Sequence, residues 1–239
     1  SRKSYPKQFV PLLGEQTLFQ ASASRLASFE NPLVVTGSDF RFIVTEQLAA
    51  IGIDPGAILL EPEGRNTAPA VLAAALYLYA KDPQAFMLVC PSDHLIPDAD
   101  SFLAATQVAL EVAQQGQLVT FGIAPTHPET GYGYLELAAA PDGGPAPLER
   151  FVEKPDAETA AALVASGRHM WNAGIFMFKA EAIVDAFKAH APNLMDPVAA
   201  AVNDAQSDLG FLRLAADPWA QAEDISIVYA VMERADYLS

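Results

Sequence analysis

AILLEPEGRNTAPAVLAAALYLYAKDPQAFMLVC, residues 57–90, decides the fold class. Its first and last five residues are short apolar runs, the length of strands buried on both faces. Between them Asn66–Lys81 is rich in alanine and leucine with a threonine near its start, a helical composition. Working outward, Pro32–Thr36 (PLVVT) reads as another buried strand, followed by a helix over Asp39–Ile51. On the other side, residues 98–115 read as a helix and Gln117–Gly122 (QLVTFG) as a fourth strand. Apolar strands alternating with helices predict a Rossmann-like, doubly wound α/β fold: a mixed, mainly parallel sheet with helices on both faces.

After residue 122 the pattern changes. Tyr132–Leu137 and Leu148–Glu153 read as strands of a hairpin whose tip holds Pro141-Asp142-Gly143-Gly144-Pro145. A helix over 156–166, a strand over 171–178 (WNAGIFMF), a helical stretch over 181–206 broken at Pro192, and a partly helical 223–234 complete the reading. No repeat or clean linker interrupts the chain. The expectation is one domain, 1–239, with a first half to about 122 and a smaller β-rich half from about 123. Doubly wound folds commonly open on a central strand and a glycine-rich loop; residues 1–9 are polar instead, so both are expected to be missing from this stretch.

The 239 residues carry a net charge of −15, with only 14 lysines and arginines against 29 acids. Such a surface repels phosphate backbones, so nucleic acid is not an expected partner. Any anionic ligand must depend on a few well-placed cations. Cys90 is the single cysteine, which fits a reducing compartment. No apolar run reaches the length of a membrane span and no export signal is visible, so a cytoplasmic protein with no membrane partner is expected.

Ligands of open α/β sheets sit at the carboxyl ends of strands, so the residues following each apolar run are the candidates. Pro91-Ser92-Asp93-His94 follows one strand, and Asp93 there can hold a divalent metal or cap the next helix. Glu61 to Pro69 follows another; amides at a helix start beside Arg65 suit an anion, and equally describe an ordinary capped helix. Thr130-Gly131-Tyr132-Gly133-Tyr134 allows close backbone approach or simply turns into a strand. Phe151-Val152-Glu153-Lys154-Pro155 ends a strand with an acid and a base, a sugar-phosphate grip or a surface ion pair. Trp171-Asn172-Ala173-Gly174 offers an amide for hydroxyl groups. His94, His127, His169 and His190 show no metal spacing, and the last three read as surface or structural. There is no Walker loop, zinc pattern, Gly-x-Ser-x-Gly or dinucleotide fingerprint.

The order of these motifs is more specific than any one of them. SRKSYPKQF (1–9), EPEGRNTAP (61–69), PSDHLI (91–96), ETGYGYLE (129–136), FVEKP (151–155), WNAGIFMF (171–178) and SIVYAVMER (226–234) together resemble the mannose-1-phosphate guanylyltransferase family of sugar nucleotidyltransferases. The resemblance covers nearly the whole chain, and makes residues 1–122 the nucleotide side and 123–239 the sugar side. It implies transfer of GMP from GTP to mannose 1-phosphate, giving GDP-mannose and pyrophosphate, with magnesium (Mg2+) held partly by Asp93. It implies that Lys7 contacts nucleotide phosphates, with Arg2 and Lys3 adding positive potential. Glu61, Arg65, Asn66, Thr67, Ala68 and Ser92 are implied on the nucleotide, and Gly133, Glu153, Lys154 and Asn172 on the sugar phosphate. Dimerisation is implied as well.

Two departures stand out. The family's glycine-rich loop, of the form Gly-Gly-x-Gly-x-Arg, does not precede Ser1. The family motif Ser-Ile-Asp-Tyr reads Ser226-Ile227-Val228-Tyr229 here, so an isopropyl group stands where a second metal carboxylate is expected. That change predicts weaker metal binding and slower turnover. The alternatives are a catalytically impaired nucleotide-sugar-binding regulator of the same fold, or a transferase for another sugar phosphate or nucleotide.

Overall fold

Helix α1 (Leu18–Arg25) starts in a capping box, Thr17 and Gln20 each satisfying the other's backbone N–H. Strand β1 (Leu33–Gly37), α2 (Arg41–Ala50), β2 (Ala57–Glu61), α3 (Thr67–Tyr79), β3 (Phe86–Val89), α4 (Ala99–Gln114) and β4 (Val119–Ile123) follow. Then come β5 (Gly133–Leu137), β6 (Leu148–Glu153), α5 (Ala157–Ala165), β7 (His169–Lys179), α6 (Ala180–His190) and α7 (Pro192–Asn203). The chain continues through a short hairpin, β8 (Gln206–Asp208) and β9 (Phe211–Arg213), then α8 (Ala216–Trp219) and a π-helical turn at Val228–Met232. The computed structural model describes residues 6–11 and 14–235; Arg2 and Lys3 lie outside the described residues.

Caps place the helix starts. Asn66, Asp98 and Asp156 accept hydrogen bonds from the first turns of α3, α4 and α5. The helix after β3 is therefore capped by Asp98, which leaves Asp93 without that duty. The break expected at Pro192 is the start of α7, where a missing N–H costs nothing.

The α/β class, the mixed sheet and the helix cover are as expected, but the parallel part is narrower. One sheet runs β1-β2-β9-β8, with β1, β2 and β9 parallel and the hairpin antiparallel. In the other, β7 pairs antiparallel with β3, β4 and β5, and β5 with β6. Met177 is the partner of both Leu88 and Val119, so β7 lies between β3 and β4. Those two strands do run parallel to each other, as the alternating pattern requires. Their spacing is filled by a strand from the second half of the chain, which pattern alone does not reveal.

The main core cluster draws on both halves of the chain, joining Leu59 and Leu72 to Phe178, Phe187, Trp219 and Met232. Helix α3 is apolar almost all round because it is covered by β-strands, α6 and α7 together. Each fully buried leucine or phenylalanine here contributes about 1.5–3 kcal/mol relative to exposure.

Glu136 on β5 is the buried exception. It is paired with Arg150, opposite it on β6, and with Arg168, and lies 3.8 Å from His169 Nε2. The hydrogen bond from Arg150 holds the Glu136 carboxyl below its ordinary 4.5, against the opposing effect of burial. A depressed folded pKa stabilises the fold fully above the unfolded value and loses that contribution as pH falls through the folded one. Glu136→Gln should therefore lower the urea midpoint at neutral pH, with the difference from wild type shrinking toward pH ~3. Equal losses at both pH values would refute the assignment.

Candidate active site

Residues from five separate parts of the chain line one cleft of about 290 Å³. Pro91 and His94 come from the turn after β3, Gly133 from the start of β5, Glu153 from the end of β6, Asn172 from β7, and Val228 from the C-terminal segment. A larger hollow of about 480 Å³ lies between β9 and α8, but none of the residues expected in the site lines it.

Lys7 and Asp93 meet beside this cleft. Lys7 sits in a single 3-10 turn, Lys7–Phe9, whose Phe9 is buried edge-on against Phe19 at 5.6 Å and tilted against Phe40 at 5.7 Å. Gln47 Nε2 donates to the Phe9 carbonyl at 3.0 Å, fixing the turn further. So anchored, the exposed Lys7 ammonium reaches Asp93 Oδ2 at 2.8 Å. The bond to Asp93 raises the Lys7 pKa, which keeps the ammonium charged. Asp93 lies between Pro91 and His94 of the lining, with Ser92 beside it, half-buried.

The opposite wall is built on register. Gly133 faces Glu153 across the β5–β6 ladder. A Cβ at Gly133 would lie 2.5 Å from Glu153 Oε2 and 3.7 Å from Asn172 Cβ, so only glycine lets that carboxylate occupy its place. Lys154 follows with a left-handed φ of 44°, its Nζ 4.0 Å from Glu153 Oε1. Asn172 Oδ1 accepts from the Gly174 N–H at 2.9 Å and from Thr120 Oγ1 at 3.4 Å, so the amide is held by its oxygen. Asp93, Lys154 and Asn172 thus converge, through their neighbours, on one cleft.

The stretch 61–68 is placed differently. It is absent from the cleft lining; Glu61 pairs with Gly37 of β1 and its carbonyl accepts from Ser38 Oγ, while residues 63–68 bond to the C-terminal segment. Asn66, at φ 65°, accepts from the Thr67 N–H at 2.9 Å as cap of α3. Arg65 pairs with Glu63 and donates to the Ala220 carbonyl; Thr67 accepts from Ile227 N–H; Ala68 is fully buried and donates to Ile225 O. Glu61, half-buried at the end of β2, has its pKa pushed up to about 7 by burial.

Several contributors went unread in the sequence. Arg25, on a helix that was not expected, donates to the His94 carbonyl at 3.3 Å and lies 5.5 Å over the Phe102 ring, steadying the turn that carries Asp93. Burial pushes the His94 pKa down, so its imidazole is neutral at neutral pH. Tyr132 lines the cleft and packs edge-on against Trp171 at 5.3 Å, and His127 packs edge-on against the same Trp171 at 5.0 Å. Tyr229 and Glu233 both have raised pKa values, first from burial and then from the Glu153 charge, which marks this end of the site as acidic. The aromatic spacing in GYGYLE was the available signal for Tyr132. Arg25 and Glu233 had none, because their roles depend on long-range packing.

Residues 1–221 match the profile of the nucleotidyl transferase family. The chain belongs to that family. It is 46% identical over 236 residues to the xanthan biosynthesis protein XanB of Xanthomonas campestris pv. campestris, covering 98% of this chain and 50% of that protein. It is 43% identical over 238 residues to a mannose-1-phosphate guanylyltransferase of Sinorhizobium fredii, covering 98% and 46%. The chain therefore spans about half the length of the curated relatives it matches. Among solved structures it is similar to one titled mannose-6-phosphate isomerase, from Helicobacter pylori, at 32% identity and a TM-score of 0.88, over 98% of this chain and 91% of that one. The nucleotidyl transferase fold accounts for the cleft: a mixed sheet whose strand ends and crossing β7 bring both walls together.

Gly133→Ala tests the second wall directly. A methyl group 2.5 Å from a carboxylate oxygen must displace Glu153. In a crystal structure of the variant the Glu153 carboxylate should have left its place beside residue 133, with little change in thermal stability. A carboxylate still in place would show that the close approach at residue 133 does not fix it.

Proposed function

We propose that this nucleotidyl transferase is a mannose-1-phosphate guanylyltransferase, moving GMP from GTP to mannose 1-phosphate with release of pyrophosphate. The observation that carries it is that Glu153 and Asn172 line one cleft, with Lys154 next to Glu153 and the Lys7–Asp93 pair next to the lining residue His94, in a chain similar over nearly its whole length to about half of a protein of that name. A phosphate oxygen of the sugar phosphate attacks the α-phosphorus of GTP. The new P–O bond forms as the bond to the bridging α–β oxygen breaks, and pyrophosphate leaves with that electron pair. No protein nucleophile is needed; alignment and charge neutralisation suffice.

Lys7 offsets negative charge growing on the α-phosphate, while Lys154 holds the phosphate of the sugar. Glu153 accepts hydrogen bonds from mannose hydroxyls and the Asn172 amide nitrogen donates to them. Gly133 lets the sugar come close to the backbone. Glu61, when ionised, matches the adjacent N–H donors of guanine; Ser92 and Asn66 add polar contacts on the nucleotide side. Asp93 fits magnesium, which takes one or two carboxylates and fills its shell from water and phosphate oxygens. Among the described residues no group of three acids, histidines or cysteines is arranged for a metal, which suits an ion held largely by substrate. Bound there, magnesium would neutralise phosphate charge. Among the described residues no helix is long and apolar enough to cross a membrane. GTP, magnesium, a cytoplasmic setting, homodimerisation and no nucleic-acid partner complete the proposal.

Purified protein with GTP, mannose 1-phosphate and magnesium should release pyrophosphate and form GDP-mannose. Lys7→Ala should lower kcat by roughly a hundredfold. Turnover with UTP but not GTP, or conversion of mannose 6-phosphate alone, would replace this reading. Val228 lines the cleft beside the acidic end, and it is the feature that favours a weakly catalytic, nucleotide-sugar-binding role. Val228→Asp should raise turnover and lower the magnesium needed; no gain in either would show that this position is not a metal ligand.

The Glu61 carboxylate gives a pH signature. Its raised pKa of about 7 means guanine loses an acceptor as the carboxyl protonates. GTP affinity should fall roughly tenfold between about pH 8 and about pH 6, and Glu61→Gln should flatten that profile. A profile identical in the variant would exclude Glu61 from base recognition.

A further inference from the structure

The loop Glu63–Ala68 is bonded to the segment Trp219–Ile227 at four points. Trp219 Nε1 donates to the Glu63 carbonyl at 2.8 Å, and Arg65 Nη2 to the Ala220 carbonyl at 2.8 Å. The Ala68 N–H donates to Ile225 O at 3.1 Å, and the Ile227 N–H to Thr67 Oγ1 at 2.9 Å. Trp219, Ala68 and Ile227 are buried, which shields one end of three of these bonds from water, whereas Thr67 is exposed and the Arg65–Ala220 bond lies at the surface. The loop is itself rigid, because Asn66 occupies a left-handed conformation and caps Thr67. In the segment, residues 223–226 form neither helix nor strand, so no regular ladder of hydrogen bonds fixes them. Its place is therefore set by what grips it from outside. That segment supplies Ser226 to the cleft wall and leads directly to Val228, which also lines it, and to Tyr229, whose pKa is raised first by burial and then by the Glu153 charge.

We propose that Thr67 and Arg65 are positioning residues for the sugar side of the cleft: they latch the segment 220–227, and through it set where Ser226, Val228 and Tyr229 stand beside Glu153. In this assignment they act without touching the nucleotide, although they lie on the nucleotide side of the fold. The kinetic consequences rest on the proposed guanylyl transfer; the structural ones do not. The Thr67 hydroxyl is the most informative part, since its oxygen is the sole acceptor given to the Ile227 N–H among the described residues.

Thr67→Val keeps the shape and removes that acceptor. In the intact protein, the KM for mannose 1-phosphate should rise about five- to a hundredfold, the range set by leaving one buried N–H unpaired. The KM for GTP should stay within about twofold. Hydrogen exchange of peptides spanning 225–232 should accelerate, and Thr67→Ser, which restores the oxygen, should reverse both effects. A rise confined to GTP would overturn the proposal by placing the hydroxyl on the nucleotide. Equal losses for both substrates, or none for either, would overturn it as well. If Thr67→Val does not fold, Arg65→Met breaks the Ala220 contact and should show the same selectivity for the sugar phosphate. A wild-type protein that makes no GDP-mannose would end the transferase reading, yet faster exchange in the variants would still support the latch, and unchanged exchange would refute it.

Discussion

Strand β7 is the member on which the rest of the structure depends. Its residues 176 and 177 pair with β3 on one edge and β4 on the other, and its first residues pair with β5. A strand inserted between two parallel neighbours must satisfy backbone groups on both edges and pack side chains on both faces, which is why Ile175–Phe178 is uninterruptedly buried. The same strand carries Asn172 and Gly174 into the cleft. Fold and site are therefore one constraint. A shift of register by one residue would turn Asn172 and the buried run Ile175–Phe178 to the opposite faces.

Charge is the second organising feature. With a net charge of −15, the chain has little attraction for anions in general. Yet the two lysines of the proposed site are each paired in advance with a carboxylate, Lys7 with Asp93 and Lys154 with Glu153. Both ion pairs are solvent-exposed on the lysine side and contribute little to stability. Each pair holds its lysine next to residues that line the cleft. Under the proposed function an incoming phosphate would exchange one anionic partner for another, which requires less reorganisation than a free side chain.

The sequence made the βαβ pattern legible because burial on both faces produces continuous apolar runs, and the caps at Asn66, Asp98 and Asp156 are local by nature. The position of β7 was not legible: its apolar content announces a buried strand without naming the neighbours. The β8–β9 hairpin was missed because three-residue strands leave no periodicity, and α1 because a capping box with a mixed helix face looks like loop. In the candidate site, Asp93, Gly133, Glu153 and Asn172 were singled out from their motifs, and of these Gly133, Glu153 and Asn172 line the cleft while Asp93 lies beside it. Thr67 and Ala68 were also found, but composition could not show that their hydrogen bonds are spent on Ile227 and Ile225. Long-range partners, of which Arg25 is another, are the general class of information that local pattern does not carry.

Val228 connects these themes. It is only partly buried, packing its apolar body against the main core while lining the cleft. An aspartate at this point would stand near Glu153 and Glu233, and Glu233 already has its pKa raised by burial and by the Glu153 charge. A further carboxylate would add like-charge repulsion that only a bound cation could relieve. The valine avoids that repulsion and adds its apolar contacts to the core, so at position 228 this chain favours the stability of the wall.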